Sequence, residues 1–245
     1  MKTFCAMIVL LLAAPVSAQT PTGDEILKKL DENVRARNRV LTSKMTIHGR
    51  RGSRTLASKS WIKGTEKSFT EYLAPAREKG TKMLKLEDQL WTYSPSTDRT
   101  IKIAGHMLRQ SVMGSDLSYE DFMEDQQLHE AYSSTVIAEE NYSERPCWVL
   151  ELRAAQKDVA YFSRKIWVDT ERYIPLREER FAKSGKLLKT THIKDVIQVG
   201  DRWVAKHVVF KDVLKKGDGT EFVIESVEYD VDIPNHIFTK AALRK

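Results

Sequence analysis

Residues 146–169 read PCWVLELRAAQKDVAYFSRKIWVD, and their periodicity decides the fold. Side chains on a strand alternate between faces, so Trp148, Leu150 and Leu152 fall together, as do Phe162, Ile166 and Val168 with only Arg164 interrupting. The same period of two recurs at Ile101 and Ile103 around Lys102, and runs from Leu41 onward. Turn signals punctuate it at 49–52, 64, 87–88, 94–98, 184–185, 200–201 and 217–219. This rhythm predicts a meander of ten to thirteen antiparallel strands, and no βαβ alternation accompanies it. A sheet of that size protects its apolar face by curling or closing, which favours a barrel or half-barrel in a mainly β protein.

Two segments depart from the strand rhythm. Ile26, Leu27, Leu30 and Val34 have helical spacing, so the reading predicts an amphipathic helix over 24–37, with Thr22 or Asp24 as its N-cap. Residues 105–127 show no alternation. Leu108 and Val112 stand four apart, and Ser118 precedes Asp121 by three, the spacing of a capping box. This predicts two short helices crossing the sheet. Residues 234–244 read as a terminal helix or coil.

Composition bounds what remains. The 245 residues are 41% hydrophobic and 30% charged, enough for a core and too polar for a multi-span membrane protein. With 11 Gly and 7 Pro, collagen-like and low-complexity chains are excluded. Lys2, the apolar run 7–14 and the small residues Val16 and Ala18 form a secretory signal peptide over 1–18, leaving one domain over 19–245. Cleavage after Ala18 removes Cys5 and leaves Cys147 alone, so no intrachain disulfide is expected. The net charge of +6 is spread over interspersed basic and acidic residues, the pattern of a solvated surface rather than a nucleic-acid interface.

Residues suited to catalysis are few. There is no glycine-rich phosphate loop and no Gly-x-Ser-x-Gly, and Cys147 sits mid-strand as a small hydrophobe. The six histidines form no His-x-His or His-x-x-x-His pair, so no metal site and no cofactor are expected. Asp116, Glu120, Asp121, Glu124 and Asp125 form the one acidic cluster. Its reading is a solvated helix face with Asp121 serving the cap, the rival being an acid/base or cation site. The sharper signal is apolar: Met107, Met113 and Met123, three of seven methionines, fall within the non-strand insertion beside Leu108, Val112, Leu117 and Phe122. Methionine suits surfaces that repack around variable apolar guests. The insertion is therefore read as a plug or movable lid. Met107, Leu108, Val112, Met113 and Phe122 face the sheet, Trp91 is in the wall, and Glu120 and Glu124 face water.

The runs 72–83 (YLAPAREKGTKM), 90–95 (LWTYSP), 99–103 (RTIKI) and 114–122 (GSDLSYEDF), with 174–177 (IPLR) and 185–189 (GKLLK), resemble the outer-membrane lipoprotein-sorting family in its LolA-like branch. The resemblance implies a periplasmic half-closed antiparallel β-barrel of LolA/LolB type, with short helices as a lid over a hydrophobic cavity. It also implies a lipoprotein or lipid carrier, not an enzyme, whose partners are acyl chains of lipoproteins or phospholipids, with an inner-membrane transporter and an outer-membrane receptor on either side. The alternative is a lipid-sensing adaptor or regulatory subunit of an inner-membrane efflux-type transporter.

Overall fold

The structure, a computed structural model, describes residues 20–34, 38–50, 52–124, 127–157 and 159–245. The signal-peptide reading, Arg51, Asp125 and the expected helical extension to Arg37 lie outside the described residues. After helix α1 (Gly23–Val34) come six strands: β1 (Asn38–Gly49), β2 (Gly52–Lys63), β3 (Lys67–Ala74), β4 (Lys82–Leu86), β5 (Gln89–Ser94) and β6 (Arg99–Ile103). A crossing segment contains 3-10 turns at Gly105–Arg109 and Val112–Gly114, then helices α2 (Tyr119–Met123) and α3 (Leu128–Ala131). Seven strands follow: β7 (Tyr132–Tyr142), β8 (Arg145–Ala154), β9 (Ser163–Asp169), β10 (Pro175–Phe181), β11 (Leu187–Val199), β12 (Arg202–Asp212) and β13 (Gly219–Tyr229). Two further 3-10 turns, Asn235–Ile237 and Lys240–Arg244, end the chain.

All thirteen strands form one antiparallel sheet in the order β6-β5-β4-β3-β2-β1-β13-β12-β11-β10-β9-β8-β7. Neighbours in sequence are neighbours in space, except that β13 returns to pair with β1, and β6 and β7 lie at opposite edges. The sheet is open, a half-barrel, and the segment between β6 and β7 has to span its hollow side.

The two faces are separated by the pleat. In β1, Leu41, Ser43, Met45 and Ile47 are buried on the concave face, and Val40 packs on the convex one. Helix α1 exists because Ile26, Leu27 and Leu30 form one fully buried stripe against Trp148, Leu150, Leu152, Ile166 and Val168. Thr22 Oγ1 accepts from the Glu25 amide and Glu25 accepts from the Thr22 amide, so Thr22, not Asp24, is the N-cap. The fit against β7 is close: a Cβ at Gly23 would stand 2.7 Å from Ser134 Oγ.

A second concave cluster joins Met45, Ile47, Leu56, Tyr72, Met83, Leu90 and Ile103 to Val112 and its neighbours in the crossing segment. On the convex face the C-terminal turns cover Phe69, Leu84 and Trp91 with Ile233, Phe238 and Leu243. One strand starts later than its pattern suggests, and one strand residue is more exposed than its pattern suggests. Phe162 precedes β9 and is 40% exposed, and Ile101, on edge strand β6, is 46% exposed, because neither has a covering layer.

Leu27→Ala is expected to cost about 2–5 kcal/mol by urea unfolding, because it opens a cavity between helix and sheet. The exposed Leu214→Ala should stay within about 0.5 kcal/mol.

Candidate functional site

Between the two concave clusters the sheet does not meet its cover, and a cavity of about 1090 Å³ remains. Its walls come from alternate residues of neighbouring strands. Leu41, Ser43 and Met45 of β1 stand beside Ser58 and Ser60 of β2, Phe222 and Ile224 of β13, and Ile166 of β9. The crossing segment contributes Val112, Leu117, Phe122 and Leu128 from above. The buried hydroxyls satisfy one another, Ser43 with Ser58 at 3.0 Å and Ser60 with Thr70 at 2.8 Å, so their cost to an apolar occupant is small.

Of the residues expected to meet an acyl chain, Val112 and Phe122 line the cavity. Met107, Leu108 and Met113 pack in the cluster that anchors the lid to the sheet, outside the described cavity wall. Trp91 is on the other side of the sheet. Its register partners Leu84 and Lys102 share its convex face, Lys240 stands 4.4 Å from its ring, and Leu90 occupies the concave side. A period of two fixes which residues share a face but not which face is concave, and this is why Trp91 was misplaced.

The acidic cluster differs more. Helix α2 begins only at Tyr119, so Asp116, Glu120 and Glu124 share no helical face. Asp116 is buried and accepts from Thr220 Oγ1 at 2.8 Å and the Asp212 amide at 2.9 Å, fixing the lid to β12 and β13. Asp121 does form the capping box with Ser118. Its carboxylate also pairs with Arg180 at 3.0 Å and with Lys189, and accepts from the Tyr161 hydroxyl. Glu124, expected in water, lines the cavity and pairs with Arg164 and, at 3.7 Å, with Arg180.

These cations have their own logic. Arg164, Arg180 and Lys189 are register partners on three adjacent strands and stand side by side. Arg164 is only 2% exposed, with its guanidinium over Tyr132 at 4.8 Å, and burial pulls its pKa down to about 10. Glu178 on the sheet supplies one carboxylate, 2.8 Å from Arg164 and 2.9 Å from Arg180. Asp121 and Glu124 supply the others from the lid, so the balance of three charges against three is complete only when the lid is down. Burial acts to raise the Asp121 pKa, but Arg180 and Lys189 outweigh it and hold it at about 2. The signal for this cluster in the sequence was Arg164, the one interruption in an apolar strand face.

Elsewhere the lid is tied by Arg54 to the Met113 carbonyl, and by Asp31 to the Leu128 amide at 3.2 Å and the His129 ring at 2.7 Å. Among the described residues no group of three His, Cys, Asp or Glu side chains is placed to hold a metal ion. No described helix is long and apolar enough to cross a membrane.

An open antiparallel sheet curled round a cavity and covered by short helices defines a LolA-like half-barrel, and solved structures agree. The chain superimposes on an outer-membrane lipoprotein-sorting protein domain from Vibrio parahaemolyticus with a TM-score of 0.80, at 23% identity over 91% of this chain and 98% of that one. A DUF1329 family protein from Desulfovibrio piger gives a TM-score of 0.83 at 22% identity, over 90% and 97%. A LolA superfamily protein from Nitrosomonas europaea gives 0.74 at 24% identity, over 91% and 100%. The chain belongs to the family whose model, described as "-like: Uncharacterized protein", matches residues 64–245. No curated protein matches it.

If the lid acids hold the cover down, Asp121→Ala leaves Arg180 and Lys189 without their partner and favours opening by about 3–5 kcal/mol. Hydrogen exchange should quicken across residues 112–123, with Glu120→Gln near wild type. The pH dependence has a fixed sign. The folded pKa of about 2 lies below the ordinary 3.8, so this contribution is present above about pH 4 and fades as pH falls towards 2. Exchange of the lid measured from pH 5 down to pH 2 checks it.

Proposed function

We infer that the protein is a periplasmic, non-enzymatic carrier that shields acyl chains of lipoproteins or phospholipids in its concave cavity. The observation that carries this reading is the cavity itself: a largely apolar space under a cover that packs on the sheet along one half and is held by ion pairs along the other. Each methylene moved from water into such a space contributes about 0.8 kcal/mol, so a long acyl chain needs no polar recognition along its length. The hydroxyl pairs on the floor are already satisfied and do not oppose it.

The ion-paired lid supports a release step without chemistry. Opening it costs the pairing of Asp121 and Glu124, and a docking partner able to compensate those charges would lower that cost. An inner-membrane transporter as donor and an outer-membrane receptor as acceptor fit this logic. The reading of residues 1–18 as an export signal supports exchange in the periplasm, and the description of the Vibrio domain as lipoprotein-sorting supports the same assignment.

The test is retention of a fluorescent fatty acid. Phe122→Asp places a charge in the cavity roof and should weaken binding at least about tenfold, because an unpaired charge is costly in an apolar site. Met113→Asp, in the lid anchor, should weaken it through lid opening. The exposed Leu214→Asp should bind as wild type. Circular dichroism checks that each variant is folded. Equal retention by all four proteins would contradict binding beneath the lid, and no retention by any of them would contradict a carrier. A stable complex with an inner-membrane transporter, with no lipid bound, would favour the adaptor reading.

A further inference from the structure

In an antiparallel meander successive turns alternate between the two ends of the sheet, and here the ends carry opposite charge. The pairing of His48 with Gly219 puts the β12–β13 turn beside the β1–β2 turn. One end of the half-barrel therefore collects the turns at 50–51, 75–81, 95–98, 155–162, 182–186 and 213–218, and the other collects those at 64–66, 87–88, 143–144, 170–174 and 200–201. Among the described residues, the first set holds eight Lys and Arg against three acids, and the second holds one Arg against six acids. Along the sequence the two signs are interspersed, and it is the fold that sorts them.

The basic end also carries most of the exposed apolar side chains. Phe162, Val213 and Leu214 lie in its turns, Leu214 being 60% exposed, and Leu73 lies where β3 reaches the same end. Among the described residues, no turn of the acidic end carries an exposed large hydrophobic side chain. The three turns nearest Phe162 and Leu214 are neighbours: the Phe162 amide donates to the Phe181 carbonyl and the Val213 amide to the Leu188 carbonyl, each at 3.0 Å. Lys157, Lys183, Lys186 and Lys216 are exposed in these turns. Lys215 is instead engaged by the lid, donating to Ser111 Oγ and the Ser115 carbonyl, so the lid is tied to this same end.

Apolar tips among lysines suit a partner that is negative at its surface and apolar just beneath it. An anionic bilayer offers lipid phosphates to the ammonium groups and hydrocarbon to the tips, and lysine stems lie along such a boundary with their charged ends outward. The acidic end of a second copy of this chain would match the charge, but it presents no exposed large apolar side chain to cover Phe162 and Leu214.

We propose that the basic end of the half-barrel docks on an anionic phospholipid bilayer, with Phe162 and Leu214 entering the head-group region and the lysines around them meeting the lipid phosphates. The acidic end then points away from the membrane, and the lid segment held by Lys215 lies next to it. The surface serves a carrier and an adaptor alike, so it does not rest on the carrier reading.

The experiment is flotation of the protein isolated from cells with vesicles of phosphatidylcholine alone or mixed with phosphatidylglycerol. Binding to the anionic vesicles is expected to be at least about tenfold tighter than to the neutral ones and to weaken as salt is raised. The variant Lys183→Glu/Lys186→Glu/Lys216→Glu should lose at least about tenfold in affinity for anionic vesicles. The variant Lys28→Glu/Lys102→Glu/Lys194→Glu has the same net charge, altered at exposed positions outside these turns, and should keep most of it. Phe162→Ser/Leu214→Ser should weaken binding at least about fivefold while the salt dependence stays the same. Circular dichroism checks that each variant is folded. Equal affinity for the two vesicle types, or equal loss in the two lysine variants, would overturn the proposal, the second because net charge rather than this end would then carry binding. Unchanged binding by the serine variant would overturn the entry of the apolar tips. Equal affinity for soluble polyglutamate would mark a face for an acidic protein, and lipid-free self-association lost in the first lysine variant would mark an interface between copies; either would overturn the bilayer assignment.

Discussion

The chain can leave β6 and enter β7 only by crossing the hollow of its own sheet. Every other connection in the sheet joins neighbouring strands, while β6 and β7 are its two edges. With β1 and β13 paired in the middle, the sheet is a single curled layer whose concave side has no second sheet to fill it. The crossing segment and α1 are the covers available, and each packs on a different half. Neither reaches the centre, and the cavity is what lies between them. Topology thus produces lid and cavity together.

That crossing is held partly by the core and partly by charge. The apolar contacts of Val112, Met107 and Leu108 give it purchase on one half of the sheet, and charge fixes it to the other half. Arg164, Arg180 and Lys189 stand in a row on adjacent strands, which would be unfavourable in a buried site with Glu178 as the sole partner. Asp121 and Glu124 complete the balance. Buried ion pairs add little net stability compared with apolar packing, but breaking one is expensive. Such pairs suit a cover with two defined positions better than a layer that stays closed.

Much of this fold was legible in the sequence because period-two alternation is a property of single strands. Trp148, Leu150 and Leu152 share a face in the structure, the strand total falls at the upper bound of the reading, and Ile26, Leu27 and Leu30 form the helical stripe. The site was only partly legible. Val112 and Phe122 line the cavity as expected, but Trp91 lies on the convex face, since alternation alone does not say which way a sheet curls. Glu124 looked like a solvated helix residue because its partners, Arg164 and Arg180, come from strands some 40 to 56 positions later. Local patterns report elements; charges brought together by pairing are visible only once the sheet is assembled.

The central claim is that the hollow side of the sheet holds an amphiphile, and native mass spectrometry of the protein isolated from cells tests it most directly. The account predicts a population carrying one lipid-sized adduct per chain, removed by organic extraction and restored by incubation with acidic phospholipid vesicles. A bare chain mass both on isolation and after that incubation would contradict it.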